Sequence, residues 1–314
     1  MFNDGLAHLS RADAFRWCAE QGLESIEMGV GGWAKAPHHL PLDELVREPA
    51  ERDRLLGELD EHGLALSCVN AAGNPLHPDP QVGELHARLL RGAIELAGLL
   101  GVDRVVTMSG CPGGRDGGRA AVFAPWALSA DDESLWNWQY EQRLAPFWSE
   151  LGAWAREQAP SVMICLELHA GAAAYSPGSY RRIAEAGGEN VRVNFDPSHF
   201  WWQGIDPLVV LDEIGDRVAF SHAKDTLLHA DRIARDGVFD FRFPVDPDTA
   251  TWHFASVGGG RPVEEWCRLL AALRLAGYDD DISIEHEDPR VSAEQGIRES
   301  HAALRSALAE APVG

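Results

Sequence analysis

The chain is short of positive charge. Lys and Arg number 27 against 49 Asp and Glu in 314 residues, a net charge of -22, and an average surface of that sign repels phosphate backbones and anionic membranes. Nucleic acid is therefore not an expected partner. Cysteine is scarce as well: Cys18, Cys68, Cys111, Cys165 and Cys267 are scattered, odd in number and free of CxxC spacing, which argues against a disulfide framework or a zinc-thiolate cluster. No apolar run approaches the roughly 20 residues of a membrane span. The start, MFNDGLAHLSRADAF, has no basic segment followed by an apolar one. The expectation is a soluble cytoplasmic protein with reduced thiols and no membrane association.

What the chain does have is alternation. Short apolar runs bounded by turn residues alternate with longer amphipathic ones over the whole length, as in repeated βα units around a parallel sheet. Expected strands are Gly5–Leu9, Leu23–Gly29, Leu64–Asn70, Arg104–Ser109, Val162–His169, Val191–Asp196, Val218–His222 and Ile282–His286. Helical spacing fills the gaps, in stretches such as LVREPAERDRLLGELDEHG, ELHARLLRGAIELAGLLG and SAEQGIRESHAALRSALAE. Eight strands alternating with helices predict an α/β protein, a single (β/α)₈ TIM barrel domain over residues 1–314. Two segments exceed ordinary connections: residues 110–134, rich in Gly and Pro, and 224–262, which carries Phe239, Phe241, Phe243, Trp252, His253 and Phe254. Both follow strands, so both belong on the catalytic face.

Ionisable residues fall at the C-terminal ends of four successive apolar runs: Glu167 in VMICLELHAG, Asp196 in VRVNFDPSH, His222 in VAFSHAKD and Glu285 in ISIEHED. In a parallel barrel these ends converge on one mouth. Any one of them has an ordinary structural explanation, and for Asp196, followed by Pro197, turn formation alone would suffice. Four in succession point to a shared metal ion. Three carboxylates and one imidazole make a hard, mostly oxygen site for one divalent cation, Mn²⁺ first, with Mg²⁺, Co²⁺, Fe²⁺ or Zn²⁺ as alternatives.

Other residues surround these. Glu27, ending ESIEMG, is either a scaffold hydrogen-bonder or a substrate contact. His199 either points a neutral imidazole at a substrate oxygen or fills a polar pocket, and His169 shares the side of Glu167 if its strand runs that far. Lys224 and Asp225 either pair with each other or serve the site, Asp225 by orienting His222. Trp201, Trp202, Trp252 and Phe254 suit an apolar wall against a sugar face or ordinary packing. The glycines at 258–260 are too few to read as a phosphate cradle.

The segments LELH, NFDPSH, SHAKD and SIEHED, over roughly the C-terminal half, resemble the sugar phosphate isomerase/epimerase family of xylose-isomerase-like TIM barrels; ESIEMG fits more loosely. The resemblance implies that Glu167, Asp196, His222 and Glu285 hold a catalytic divalent metal. It also implies that Glu167 and Glu285 act as acid and base on opposite faces of a sugar, and that His199 touches a substrate oxygen. Ketose 3-epimerases of the family carry an Arg six residues after the metal-binding His; here that position is Leu228, which points away from a free ketohexose. The HAKD segment resembles family members that accompany sugar oxidoreductases and catalytic subunits that cleave 3-keto glycosides.

The expected function is thus a metal-dependent sugar isomerase or epimerase acting through a metal-bound enediolate. Catalysis falls to Glu167, Glu285, His169 and His199, and substrate binding to Glu27, His199, Lys224, Asp225, Trp202 and Trp252. The alternatives are a lyase cleaving C- or O-glycosides of 3-keto sugars by β-elimination, and a non-catalytic carbohydrate-binding barrel. The expected partner is a small sugar or glycoside, with a further copy of the chain or a small accessory subunit as possible company.

Overall fold

A computed structural model describes residues 1–125, 130–239 and 244–311. Its main sheet has seven parallel strands: β1 (Ser25–Gly29), β2 (Ala65–Asn70), β3 (Arg104–Met108), β4 (Met163–Glu167), β5 (Val191–Phe195), β6 (Val218–Ala223) and β9 (Ile282–Ile284), hydrogen-bonded in that order. Between β6 and β9 lie β7 (Asp225–Leu228) and β8 (Trp252–Ala255), which form an antiparallel hairpin of their own. The short, largely buried strands read as apolar runs because helices cover the outside and side chains fill the inside. Register brings their C-terminal ends level: Met108 lies opposite Glu167, Glu167 opposite Asn194, and His222 opposite Ser283.

Residues 1–3 close the barrel. The Glu27 N–H donates to the Met1 carbonyl (2.8 Å) and the Phe2 N–H donates to the Ile284 carbonyl (2.9 Å), so Phe2 is a one-residue stave between β9 and β1. The expected first strand, Gly5–Leu9, is corrected: Asn3–Leu6 is a turn of 3₁₀ helix. The buried Asn3 carboxamide accepts from the Gly29 N–H, and Ser10 already caps the helix Arg11–Glu20 by accepting from the Asp13 N–H. A chain fixed at both points must leave the sheet by residue 4.

Helix boundaries follow local chemistry. The helix Pro80–Leu100 starts on an Asp79 cap, ends on left-handed Gly101 (φ 73°), and buries Leu89, Leu90, Ala93, Ile94, Leu96 and Ala97. Each buried Leu or Ile contributes roughly 1.5–3 kcal/mol of transfer free energy. The stretch LVREPAERDRLLGELDEHG, expected as one helix, is two, Leu42–Arg47 and Pro49–Glu61, because Glu48 is extended before Pro49. The helix Ala130–Gln139 passes through a wider π segment, Tyr140–Leu144, into Ala145–Gln158; Pro146 lacks the N–H that α geometry would use there.

The two long segments are partly ordered. Residues 224–262 hold the β7–β8 hairpin and the helix Ala230–Asp236, while Phe241 and Phe243 lie outside the described residues. None of the five cysteines is paired. Among the described residues no helix is long and apolar enough to cross a membrane. Inside the barrel, Cys68, Val106, Cys165, Ala219 and Phe220 form an apolar cluster.

Candidate active site

Side chains along a strand repeat their direction every two residues, so each barrel-interior position hands its direction on towards the mouth. Cys165 is succeeded by Glu167, Phe220 by His222 and then Lys224, and Ser283 by Glu285 and Glu287. His222 stands at the centre. Its Nδ1 lies 3.1 Å from Glu285 Oε2 and 3.6 Å from Glu167 Oε2, and its Nε2 lies 3.0 Å from Glu27 Oε2. Asp196 uses Oδ1 to accept from the Ser198 N–H (2.9 Å), while its Oδ2 lies 3.2 Å from both His199 Nε2 and Lys224 Nζ. His199 Nε2 is 2.8 Å from Glu167 Oε1. Lys224 Nζ donates to Glu285 (2.6 Å) and Glu287 (3.1 Å) and sits 4.6 Å from the centre of the Phe254 ring.

Two expectations are corrected by burial. Glu27 has no exposed surface, and its carboxylate accepts from Asn70 Nδ2 (2.7 Å) and Ser283 Oγ (2.6 Å) as well as facing His222. It lies behind the imidazole, away from solvent. Asp225 is also fully buried and does not reach His222: its carboxylate accepts from the backbone of Thr226, Gly258, Gly260 and Arg261 and from Trp266 Nε1. The other expected residues, Trp201 apart, are brought together. His169 lies just beyond β4 with its ring 4.2 Å from that of His199. Trp202 and Trp252 stack 4.6 Å apart at 7°. With Val238, Phe239, Phe254 and Glu287, these three line a cavity of about 350 Å³ beside the carboxylates. Trp201 turns away, its ring packed against Trp266.

Glu287 and Asn194 were missed in the sequence. Asn194 Nδ2 lies 3.2 Å from His222 Nδ1. Each sits two residues from a recognised site residue, so the period of two was the available signal.

The electrostatics follow from crowding anions in a buried space. Burial and the Lys224 ammonium oppose a charge on His199, but Asp196 and Glu167 outweigh them and push the imidazole up to about 9. Burial, with the nearby His199 and Lys224 charges, holds His169 far below its ordinary value. Burial opposes ionisation of Asp196 and Glu285, yet Lys224 and the histidines hold both well below the usual carboxylate range.

A hard divalent cation fits this donor set. An ion with bonds near 2.1 Å needs neighbouring donors about 3 Å apart, and the His222 contacts of 3.1 and 3.6 Å match. Ligand atoms of Glu167, His222 and Glu285 lie within 4.8 Å of one another, as do those of Glu167, Asp196 and His199. Asp196 Oδ2, though buried, has no properly directed hydrogen bond. Glu27 behind His222 is the carboxylate partner that a metal-binding imidazole usually keeps.

Fold and site together define a (β/α)₈ barrel with an acidic, imidazole-containing centre at the C-terminal mouth. Residues 15–307 match the family described as the xylose isomerase-like TIM barrel, and the chain belongs to that family. It is 32% identical over 309 residues to an uncharacterized protein, YfiH, of Bacillus subtilis (strain 168), covering 98% of each chain. Among solved structures it superposes on the probable 3-DHS dehydratase AsbF of Bacillus anthracis with a TM-score of 0.67, at 16% identity and 97% coverage of both chains. The 3-keto-D-glucoside 4-epimerase YcjR of E. coli gives 0.63 at 14% identity, covering 95% of this chain and 94% of that one. The IOLI protein, crystallised with a zinc atom, gives 0.64 at 18% identity, covering 100% and 99%.

Proposed function

We propose that the protein is a divalent-metal-dependent sugar isomerase or epimerase that removes a proton from a carbon next to a carbonyl and returns one to the same or the neighbouring carbon. The observation that supports this reading is the clustering of possible ligand atoms at the barrel mouth, those of Glu167, His222 and Glu285 within 4.8 Å of one another and those of Glu167, Asp196 and His199 likewise. Glu167, Asp196, His222 and Glu285 would hold the ion, with Mn²⁺ preferred because most donors are oxygens. When bound, it supplies a positive charge that polarises the substrate carbonyl and acidifies the adjoining C–H. The zinc atom of the IOLI structure favours a resident metal in this fold.

The side chains divide the proton work. Glu167 takes the proton from carbon onto a carboxylate oxygen, and His199, bonded to that same group at 2.8 Å, offers its own proton to the substrate oxygen that gains charge. Glu285 serves the other side, kept ionised by Lys224. Delivery of a proton from that side inverts the carbon; delivery to the adjacent carbon moves the carbonyl. His169, its ring against that of His199, would hydrogen-bond a substrate hydroxyl. The aromatic wall of Trp202, Trp252 and Phe254 keeps water from the reacting carbon.

The test is hydrogen exchange at carbon. Protein stripped with chelator and restored with Mn²⁺ should exchange C–H for C–D in a ketose or 3-keto glycoside in D₂O, followed by NMR. Glu167→Gln should lower the rate by about 10²–10⁴. Failure of the wild-type protein to exchange any sugar would sink the reading and leave a carbohydrate-binding barrel. A second reading, β-elimination of a 3-keto glycoside, is favoured by a chamber of about 680 Å³ that adjoins the first through Ala170, Trp202, Val238 and Phe239 and adds Phe123 and Tyr175. It is told apart by release of the aglycone.

A further inference from the structure

We infer that Lys224 and the divalent ion draw on the same carboxylate oxygens, so that metal binding moves the ammonium from Asp196 and Glu285 to Glu287, at the edge of the mouth; the inference rests on reading the mouth as a metal site. The chain holds two lysines, Lys35 and Lys224, against 25 arginines. Lys224 continues the direction of His222 one step past β6. Its side chain is 2% exposed, and Nζ lies 2.6 Å from Glu285 Oε2, 3.1 Å from Glu287 Oε2 and 3.2 Å from Asp196 Oδ2. A compact ammonium on a flexible stem suits three converging carboxylates where the planar fork of a guanidinium does not.

The oxygens that Lys224 holds are the ones a metal needs. Asp196 Oδ1 already accepts from the Ser198 N–H (2.9 Å), which leaves Oδ2 for a cation. Glu285 Oε2 is the atom 3.1 Å from His222 Nδ1. Two cations drawing on the same oxygens repel one another, and burial strengthens the repulsion. The ammonium has a second place to go. The Glu287 side chain is 38% exposed against 16% for Glu285, and the Phe254 ring, 4.6 Å from Nζ, offers the cation its face. Rotation about the bonds of the lysine stem keeps Glu287 and the ring while giving up Asp196 and Glu285. Glu285 stays ionised under either cation, and the lysine reaches a position from which it can donate to a substrate oxygen.

The experiment reads the lysine and the metal separately. Wild-type protein, chelated or restored with Mn²⁺, is treated with an acetylating reagent, and peptide mass spectrometry compares modification of Lys224 with that of the exposed Lys35. Mn²⁺ should raise the Lys224 rate severalfold relative to Lys35. In calorimetry, Lys224→Met should raise Mn²⁺ affinity by about 5- to 150-fold, the range of an ordinary coupling between sites. Glu287→Gln should lower Mn²⁺ affinity when Lys224 is present and leave it unchanged in the Lys224→Met background, because the only service of Glu287 is to receive the lysine. Lys224 equally protected with and without Mn²⁺ overturns the inference and leaves the isomerase reading standing. An equal effect of Glu287→Gln in both backgrounds also overturns it, since Glu287 would then act on the ion by charge alone. Exposure of Lys224 by Mn²⁺ without hydrogen exchange in any sugar supports the inference and overturns the isomerase reading. No Mn²⁺ binding overturns both.

Discussion

At the scale of single residues, the cluster at the barrel mouth is backed by groups with no exposed surface. Glu27 spans the barrel from β1 to His222 and is held by Asn70 and Ser283 on the way. A carboxylate behind an imidazole fixes the ring's orientation and raises its basicity, and its loss in metal sites typically costs 10–100-fold in affinity. Glu27→Gln keeps the size and removes the charge. Mn²⁺ affinity measured by calorimetry should therefore fall by about 10- to 100-fold with little change in fold; affinity within twofold of wild type would return Glu27 to a purely structural role. The same scale shows what one sequence reveals and what it hides. Glu167, Asp196, His222 and Glu285 stood out because they close four successive apolar runs, where any one alone has an ordinary structural explanation. Glu27 closes such a run as well, and whether it faces substrate or another side chain depends on Asn70, His222 and Ser283, which are distant in sequence.

At the scale of elements, the seven strands of the main sheet were legible, with ends differing by a few residues, because apolar runs flanked by turn residues suit burial on both faces. The first stave was not. It is a single residue, Phe2, flanked by Met1, and its hydrogen bonds go to strands at opposite ends of the sheet order, a pattern with no local periodicity. The β7–β8 hairpin was hidden in what read as a long loop, because its pairing joins Asp225–Leu228 to Trp252–Ala255 across an intervening helix.

That hairpin hangs on Asp225. Burial pushes the Asp225 carboxyl above its usual range, against the donors from Arg261, Thr226, Trp266 and Gly258, so the group is desolvated and held by hydrogen bonds rather than by a cation. Asp225→Ala would leave buried backbone donors unpaired, at roughly 1–3 kcal/mol for each that water cannot reach. The expected outcome is a stability loss of about 2–4 kcal/mol in urea unfolding, with faster hydrogen exchange at the amides of Gly258, Gly260 and Arg261 than in the rest of the barrel. Exchange unchanged at those amides would mean that the loop stands without its anion.

At the scale of the whole molecule, a chain with a net charge of -22 carries part of its acidity at the barrel mouth. Glu27, Glu167, Asp196 and Glu285 crowd around a single lysine, with the exposed Glu287 at its edge, and the unfolded chain would scatter them into water. A divalent ion that binds only the folded arrangement therefore adds its binding free energy to stability. At a hundredfold excess over Kd that contribution is about 2.7 kcal/mol. A 1 kcal/mol change moves the Tm of a chain this large by roughly 2 °C, so Mn²⁺ should raise Tm by about 5 °C over the chelated protein. Sodium chloride at matched ionic strength screens general repulsion without filling the site, and it should reproduce little of the rise. Glu285→Gln removes one donor together with the partner of Lys224 and His222. The chelated variant should be no more stable than chelated wild type, and its gain with Mn²⁺ should be smaller. A full Mn²⁺ gain in that variant would place the ion elsewhere on the acidic surface and separate metal stabilisation from the barrel mouth.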